Sequence, residues 1–314
     1  MVSRVSARRS RGLIAVLATT TVLAMAAACT SAAVGSKQSP TAGTMSGMAG
    51  MDGMSGMSMV ATAPTTPALA AAAPDGTGLS KSLHGYTLVP SAPTAIAGAA
   101  STYSFHINGP NGQAVTQYEP YESELVLCYV IRSDLTEYNY LQPAMREDGT
   151  WNAAMPPLPS GSYRAFVTFA APDSSQGTPL VYQLSAPFTI PGASSAAQLP
   201  APASTATVDG YTVTLKGSPK AGVSGPMTLT IAKNGKPITS FERYLDGYAH
   251  LTAFRSGDLA FGQIFSLGGI QAGTGALTAE ALFPESGSWR VFAQFELDNT
   301  VHTAEFTVNV PTGS

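Results

Sequence analysis

Charge is scarce in this chain: only 11% of its 314 residues are Asp, Glu, Lys or Arg. Surface helices need such residues on their outward faces, so a helical architecture is the poorer expectation. The 31 glycines and 23 prolines favour turn-rich β structure instead. Cysteine is scarcer still, with Cys29 and Cys128 alone. After about residue 28 there is no second apolar run of the roughly 18 residues a membrane span needs. Enzymatic signatures are also missing. The sequence has no G-x-S-x-G elbow, no H-E-x-x-H, no phosphate-cradling glycine loop and no Cys-His pair at recognisable spacing. Carboxylates such as Glu119, Glu122 and Glu124 have no spacing that makes them an acid/base pair, so catalysis is not expected.

What is present begins with a leader. Arg4, Arg8, Arg9 and Arg11 precede an apolar run from Gly12 to about Ala28, the layout of a secretory signal over residues 1–28. Its end, Ala26-Ala27-Ala28-Cys29, resembles the bacterial lipobox, in which a peptidase cuts before a lipid-carrying cysteine. That resemblance makes Cys29 the lipidation site and places the protein on the extracellular face of the cell membrane; ordinary signal-peptidase cleavage is the alternative. Loss of the four arginines leaves 12 basic against 19 acidic residues, a net charge of −7. A chain of that sign is a poor polyanion binder, and no nucleic-acid partner is expected.

Residues 29–80 are Ala, Ser, Thr, Gly, Pro and Met with scarcely a branched or aromatic side chain. Such a stretch buries too little apolar surface to offset chain entropy and is predicted to be a disordered tether. Beyond it the sequence repeats. Gly85-Tyr86-Thr87-Leu88 matches Gly210-Tyr211-Thr212-Val213, Arg132-Ser133-Asp134-Leu135 matches Arg255-Ser256-Gly257-Asp258-Leu259, and Ser160-Gly161-Ser162-Tyr163-Arg164 matches Ser286-Gly287-Ser288-Trp289-Arg290. The near-constant offset marks a duplication: repeat 1 over 81–190, a Pro/Ala/Ser linker over 191–207 and repeat 2 over 208–314. Period-2 runs such as Ser288–Phe295 and His302–Val308 read as half-buried strands. Asn111-Gly112 and Asn234-Gly235 read as tight hairpin turns. The predicted fold is all-β, two tandem immunoglobulin-like sandwiches after the tether.

Six methionines, Met45, Met48, Met51, Met54, Met57 and Met59, crowd a segment that offers no core for them to join. Thioether sulfur is a soft, uncharged ligand that selects Cu(I) over hard cations. Their M-x-x-M spacing resembles the methionine motifs of bacterial copper-export and copper-resistance proteins. The resemblance implies a Cu(I) site, a role in copper homeostasis and a copper-transport partner protein. A plain low-complexity linker is the alternative.

The runs Tyr244–Leu251, Arg255–Leu259, Phe283–Phe292 and Val301–Val308 resemble secreted Ig-like domains of the YtkA and CopC-like group, often linked to metal handling. In that group a His-x-His-Pro element follows the Asp-Leu pair. The matching positions here, Tyr140-Leu141-Gln142-Pro143 and about Gly262-Gln263-Ile264-Phe265, lack both histidines. His250, which precedes the central strand, is retained as a candidate ligand, and so is Cys128, whose apolar setting otherwise reads as a buried thiol. Trp151, Trp289, Tyr118, Tyr121, Phe241 and Tyr244 are expected to pack the sheets rather than to form a sugar or peptide platform. Two functions are therefore carried forward: a Cu(I)-binding envelope lipoprotein, and a surface module that recognises a protein or glycan.

Overall fold

The computed structural model describes residues 77–91, 95–171 and 180–313. The leader, Cys29 and the six clustered methionines lie outside the described residues. Both sandwiches fall within one compact unit. Among the described residues no helix is long and apolar enough to cross a membrane.

In the first sandwich one sheet runs in the order β1 (Ser82–Leu83), β2 (Tyr86–Pro90), β3 (Ser101–Asn108), β7 (Trp151–Met155), β6 (Ala144–Met145). It faces a sheet of β5 (Tyr138–Leu141), β4 (Val126–Arg132), β8 (Gly161–Ala171) and β9 (Leu180–Ile190). The second repeat gives β10 (Thr205–Val208), β11 (Tyr211–Gly217), β12 (Gly225–Lys233) and β16 (Ala276–Leu282), with β13 (Lys236–Pro237) beside β12. Opposite lie β14 (His250–Arg255), β17 (Gly287–Leu297) and β18 (Thr300–Val310). The long β15 (Phe261–Gln271) pairs first with β14 and then with β16, so it stitches the two faces of this sandwich together. In the first repeat that strand is split into β5 and β6. Pro143 falls in the gap and has no N–H to give to a ladder, whereas the second repeat has no proline there.

Alternation fills each interior. Tyr103, Phe105 and Ile107 of β3 face Val126, Cys128 and Val130 of β4 in one core, and Met227, Leu229 and Ile231 of β12 face Leu251 and Ala253 of β14 in the other. Trp151 and Trp289 are both buried. The Trp151 Nε1–H donates to the Tyr118 hydroxyl at 3.2 Å and the Trp289 Nε1–H to the Glu285 carbonyl at 3.1 Å. Asn234 and Gly235 take φ of 52° and 74°, the tight turn expected between β12 and β13. At Asn111-Gly112 only the glycine has positive φ. The loop closes more widely there, the Gly109 N–H reaching the Gln113 carbonyl at 2.8 Å.

Two segments differ from expectation. The tether was expected to run to residue 80, but Thr77–Ser80 is already built into the fold by hydrogen bonds: the Phe261 N–H donates to the Thr77 carbonyl at 2.7 Å, and the Ser185 N–H to the Ser80 carbonyl at 2.9 Å. Composition shows only that such a segment cannot make a core of its own; it can still be held by cores made elsewhere. The linker is likewise bound along its length. Arg132 donates to the Ser195 carbonyl at 3.3 Å, the Ala197 N–H donates to Asp134 at 3.0 Å, and the Ala203 N–H reaches the Thr307 carbonyl at 3.2 Å. Thr205–Thr207 is already strand.

Candidate functional site: the seam between the sandwiches

Strand β4 is buried on both sides. Val126, Cys128 and Val130 point into the first sandwich, while Leu127, Tyr129 and Ile131 enter a third apolar cluster with Leu135 and Phe166. The second sandwich completes that cluster with Phe254, Leu259, Phe261 and Phe292. The two sandwiches are therefore joined through an aromatic seam rather than strung loosely in tandem.

The seam is built from equivalent residues of the two repeats. Tyr138 pairs with Ile131 in β4 as Phe261 pairs with Phe254 in β14, and Phe166 holds in β8 the place that Phe292 holds in β17. Across the seam Tyr138 meets Phe292, with ring centroids 4.3 Å apart, and Phe166 meets Phe261 at 5.8 Å. Each contact is the other with the repeats exchanged, the arrangement of an isologous interface with approximate two-fold symmetry. The Arg-Ser-(Gly)-Asp-Leu motif serves the seam from both sides. Leu135 and Leu259 sit at φ of 66° and 67°, a region costly for leucine, and each is buried in the seam. Arginine–carboxylate pairs brace these turns: Arg132 with Asp134 at 2.6 Å, and Arg255 with Asp258 and Glu285. Burial raises the Asp134 pKa, but the Ala197 N–H, Thr136 and Arg132 outweigh it and hold the carboxyl below its ordinary value.

At one end the seam becomes polar. Tyr121 and Glu124 close a two-residue turn through reciprocal backbone bonds of 2.8 and 3.0 Å. Glu122 and Ser123 at its tip take φ of 50° and 64°, where Asn-Gly is usual. The strained turn delivers Glu122 to the seam, with Oε2 2.9 Å from Nδ1 of His250. This approach has the distance of an ion pair without the direction of a hydrogen bond, since no hydrogen bond reaches that oxygen. Nε2 of His250 lies 2.9 Å from the Tyr129 hydroxyl, and the two rings stack with planes 8° apart. Burial pushes the Tyr129 phenol well above its ordinary pKa, with Glu122 adding to the effect. Asp246 is also raised, by burial and then by Glu122, with His250 and Arg243 acting the other way.

This cluster is a pin more than a reaction centre. Both ring nitrogens of His250 face partners, and the cavity beside it, lined by Tyr121, Glu122, Tyr129, Thr168 and Thr252 among others, has a volume of about 20 Å³. That admits one water and no substrate. Cys128 does not join it. It lies on the opposite face of β4 in the first core, where burial raises its thiol to about 12, so a thiolate ligand is disfavoured. Among the described residues no group of three or more His, Cys, Asp or Glu side chains is placed to hold a metal ion. His84 lies edge-on to Tyr182, and His302 meets Asp209 at 2.8 Å. Sequence reasoning singled out His250 but missed Glu122 and Tyr129 as its partners. The available signal was the unbroken apolar run of Leu125 to Ile131, which marks a strand covered on both faces.

A family model described as a domain of unknown function, DUF8832, matches residues 206–312, the second sandwich. No curated protein matches. Among solved structures, the Escherichia coli adhesin FdeC is similar at 14% identity over 74% of this chain and 65% of that one, with a TM-score of 0.24. Yersinia pseudotuberculosis InvD is similar at 16% identity over 74% of this chain and 59% of that one, with a TM-score of 0.24. Domains 4 and 5 of the S-layer protein SbsC are similar at 9% identity over 72% of this chain and 98% of theirs, with a TM-score of 0.22. This chain thus spans less than two thirds of the first two, and likeness at these scores carries no argument about activity.

Proposed function

We propose that this chain is a non-enzymatic surface interaction protein: a pair of Ig-like sandwiches, anchored outside the cell through Cys29 and a tether, that recognises a protein or glycan. The observation that carries this reading is the seam. Its aromatic core and its inward-facing His250, Glu122 and Tyr129 fix two sandwiches into one body. A rigid scaffold that fixes the spacing between two sets of loops is useful for recognition. The fold itself is neutral, since such sandwiches host many functions.

A second reading is favoured by the thioethers. Met45, Met48, Met51, Met54, Met57 and Met59 would bind Cu(I), with delivery to or from a copper-transport partner, and the sandwiches would be scaffold. One comparison separates the two. The mature chain, the same chain with all six methionines changed to Leu, and residues 62–314 are titrated with Cu(I) against a chelator, and each is screened for saturable binding to envelope and host-surface proteins and glycans. The first reading expects saturable partner binding by all three. If none binds a partner while the mature chain alone takes up Cu(I), the second reading replaces the first.

A further inference from the structure

Four consecutive residues ahead of β1 touch both sandwiches. The Thr77 carbonyl accepts from the N–H of Phe261, which opens β15 of the second sandwich, at 2.7 Å. The next three carbonyls turn to the first sandwich: Gly78 accepts from the Ser185 hydroxyl at 2.9 Å, Leu79 from an Arg164 guanidinium nitrogen at 3.3 Å, and Ser80 from the Ser185 N–H at 2.9 Å. The Leu79 side chain packs against the seam cluster and against the core of the second sandwich. Gly78 is required by two constraints at once. Its φ is 65°, and a Cβ there would lie 3.1 Å from Oε1 of Gln183 in one sandwich and 3.2 Å from Cβ of Phe261 in the other. Arg164, which holds Leu79 and also donates to the Ser185 hydroxyl at 2.9 Å, is placed to feel Asp258 across the seam.

We propose that Thr77–Ser80 is a latch: it locks the two sandwiches in one arrangement, so that displacing the chain ahead of residue 77 loosens the seam before either sandwich loses its own core. A segment belonging to one sandwich alone would bond to that sandwich alone, whereas this one divides its carbonyls between β15 of the second sandwich and β8 and β9 of the first. The seam also has a weaker route of failure than the sandwiches do. Separating the two bodies exposes one cluster, while unfolding either body breaks its ladders as well. A pull on the preceding chain acts first on the Phe261–Thr77 bond and on Leu79. This inference stands whichever partner the surface meets.

The test uses the full chain with Cys29→Ser, so that Cys128, buried in the first core, reports unfolding of that sandwich through its labelling by a thiol reagent. A second thiol, Ile131→Cys, faces the seam and reports its opening. Gly78→Val should raise the labelling rate at position 131 by about tenfold, the effect of losing one or two hydrogen bonds, and leave Cys128 labelling unchanged. Ser185→Ala, which removes one latch bond without adding bulk, should give the same pattern more weakly and provides the reading if Gly78→Val does not fold. Unchanged labelling at 131 in the folded variants overturns the latch. So does labelling of Cys128 that rises in step with 131, because the segment would then be part of the first sandwich's own fold.

Discussion

Tyr138 lies flat against Phe292, with ring centroids 4.3 Å apart and planes 12° apart, and its hydroxyl donates to Oε1 of Gln294 at 3.2 Å. The two side chains come from different repeats, so this stack couples one sandwich to the other directly. Burial pushes the Tyr138 phenol well above its ordinary pKa, and the ring stays neutral at any physiological pH.

The stack gives the first prediction. Phe292→Ala should cost about 3–5 kcal/mol of unfolding free energy, the range for truncating a buried aromatic. Tyr138→Ala should cost less, because Tyr138 is only half-buried, and the double variant less than the sum, with a coupling of about 0.5–1.5 kcal/mol beyond area burial. Urea denaturation of the four species gives the cycle. Additive losses would mean that the rings do not act on each other.

The β-sandwich fold and the repeat were legible because they depend on local signals: alternation in Trp289–Phe295, the Asn234-Gly235 turn and block matches such as Ser160–Arg164 with Ser286–Arg290. The seam was not, because its members are scattered. Leu127, Tyr138, Phe166, Phe254 and Phe292 each look like ordinary strand residues, and only the contact between sheets shows that their outward faces meet. His250 stood out through the resemblance, as the histidine that precedes the central strand, but its partner Glu122 is 128 positions away on a turn whose Glu-Ser tip differs from the usual Asn-Gly.

Asp246 supplies a pH prediction. Its folded-state pKa is above the ordinary carboxylate value, chiefly through burial and Glu122. The folded protein therefore holds that proton more tightly than the unfolded chain does. Asp246 costs nothing when the pH is below the ordinary value, and begins to destabilise as the pH rises through it toward the folded-state value. Asp246→Asn should raise the melting temperature at pH 7, and the gain should shrink as the pH falls toward about 3.5. A variant that melts lower than the parent at pH 7 would show that the attraction of Asp246 to His250 and Arg243 outweighs burial and repulsion.

Cys128 should behave as an inert core thiol. With its pKa near 12 and no surface exposure, it should resist a thiol reagent in native buffer for hours and react once in denaturant, in the Cys29→Ser background. Cys128→Ala should cost about 1–2 kcal/mol, as loss of one buried group with a small cavity. Labelling of the native protein within minutes would contradict the burial of β4.

The Glu122–His250–Tyr129 chain makes the sharpest distinction between a structural pin and an adventitious contact. His250→Leu keeps bulk but leaves the Glu122 side chain facing an apolar one in the seam, and a buried polar group that loses its partner typically costs about 1–3 kcal/mol. Adding Glu122→Gln removes the stranded charge, so the double variant should recover a large part of that loss. Tyr129→Phe takes away only the hydroxyl that meets Nε2 and should cost about 0.5–1.5 kcal/mol. All three are measured by urea unfolding at pH 7. The order expected is His250→Leu least stable, the double variant next, and Tyr129→Phe nearest the parent. If the double variant is no better than His250→Leu alone, Glu122 reaches water freely, and the polar end of the seam is a surface contact rather than a pin.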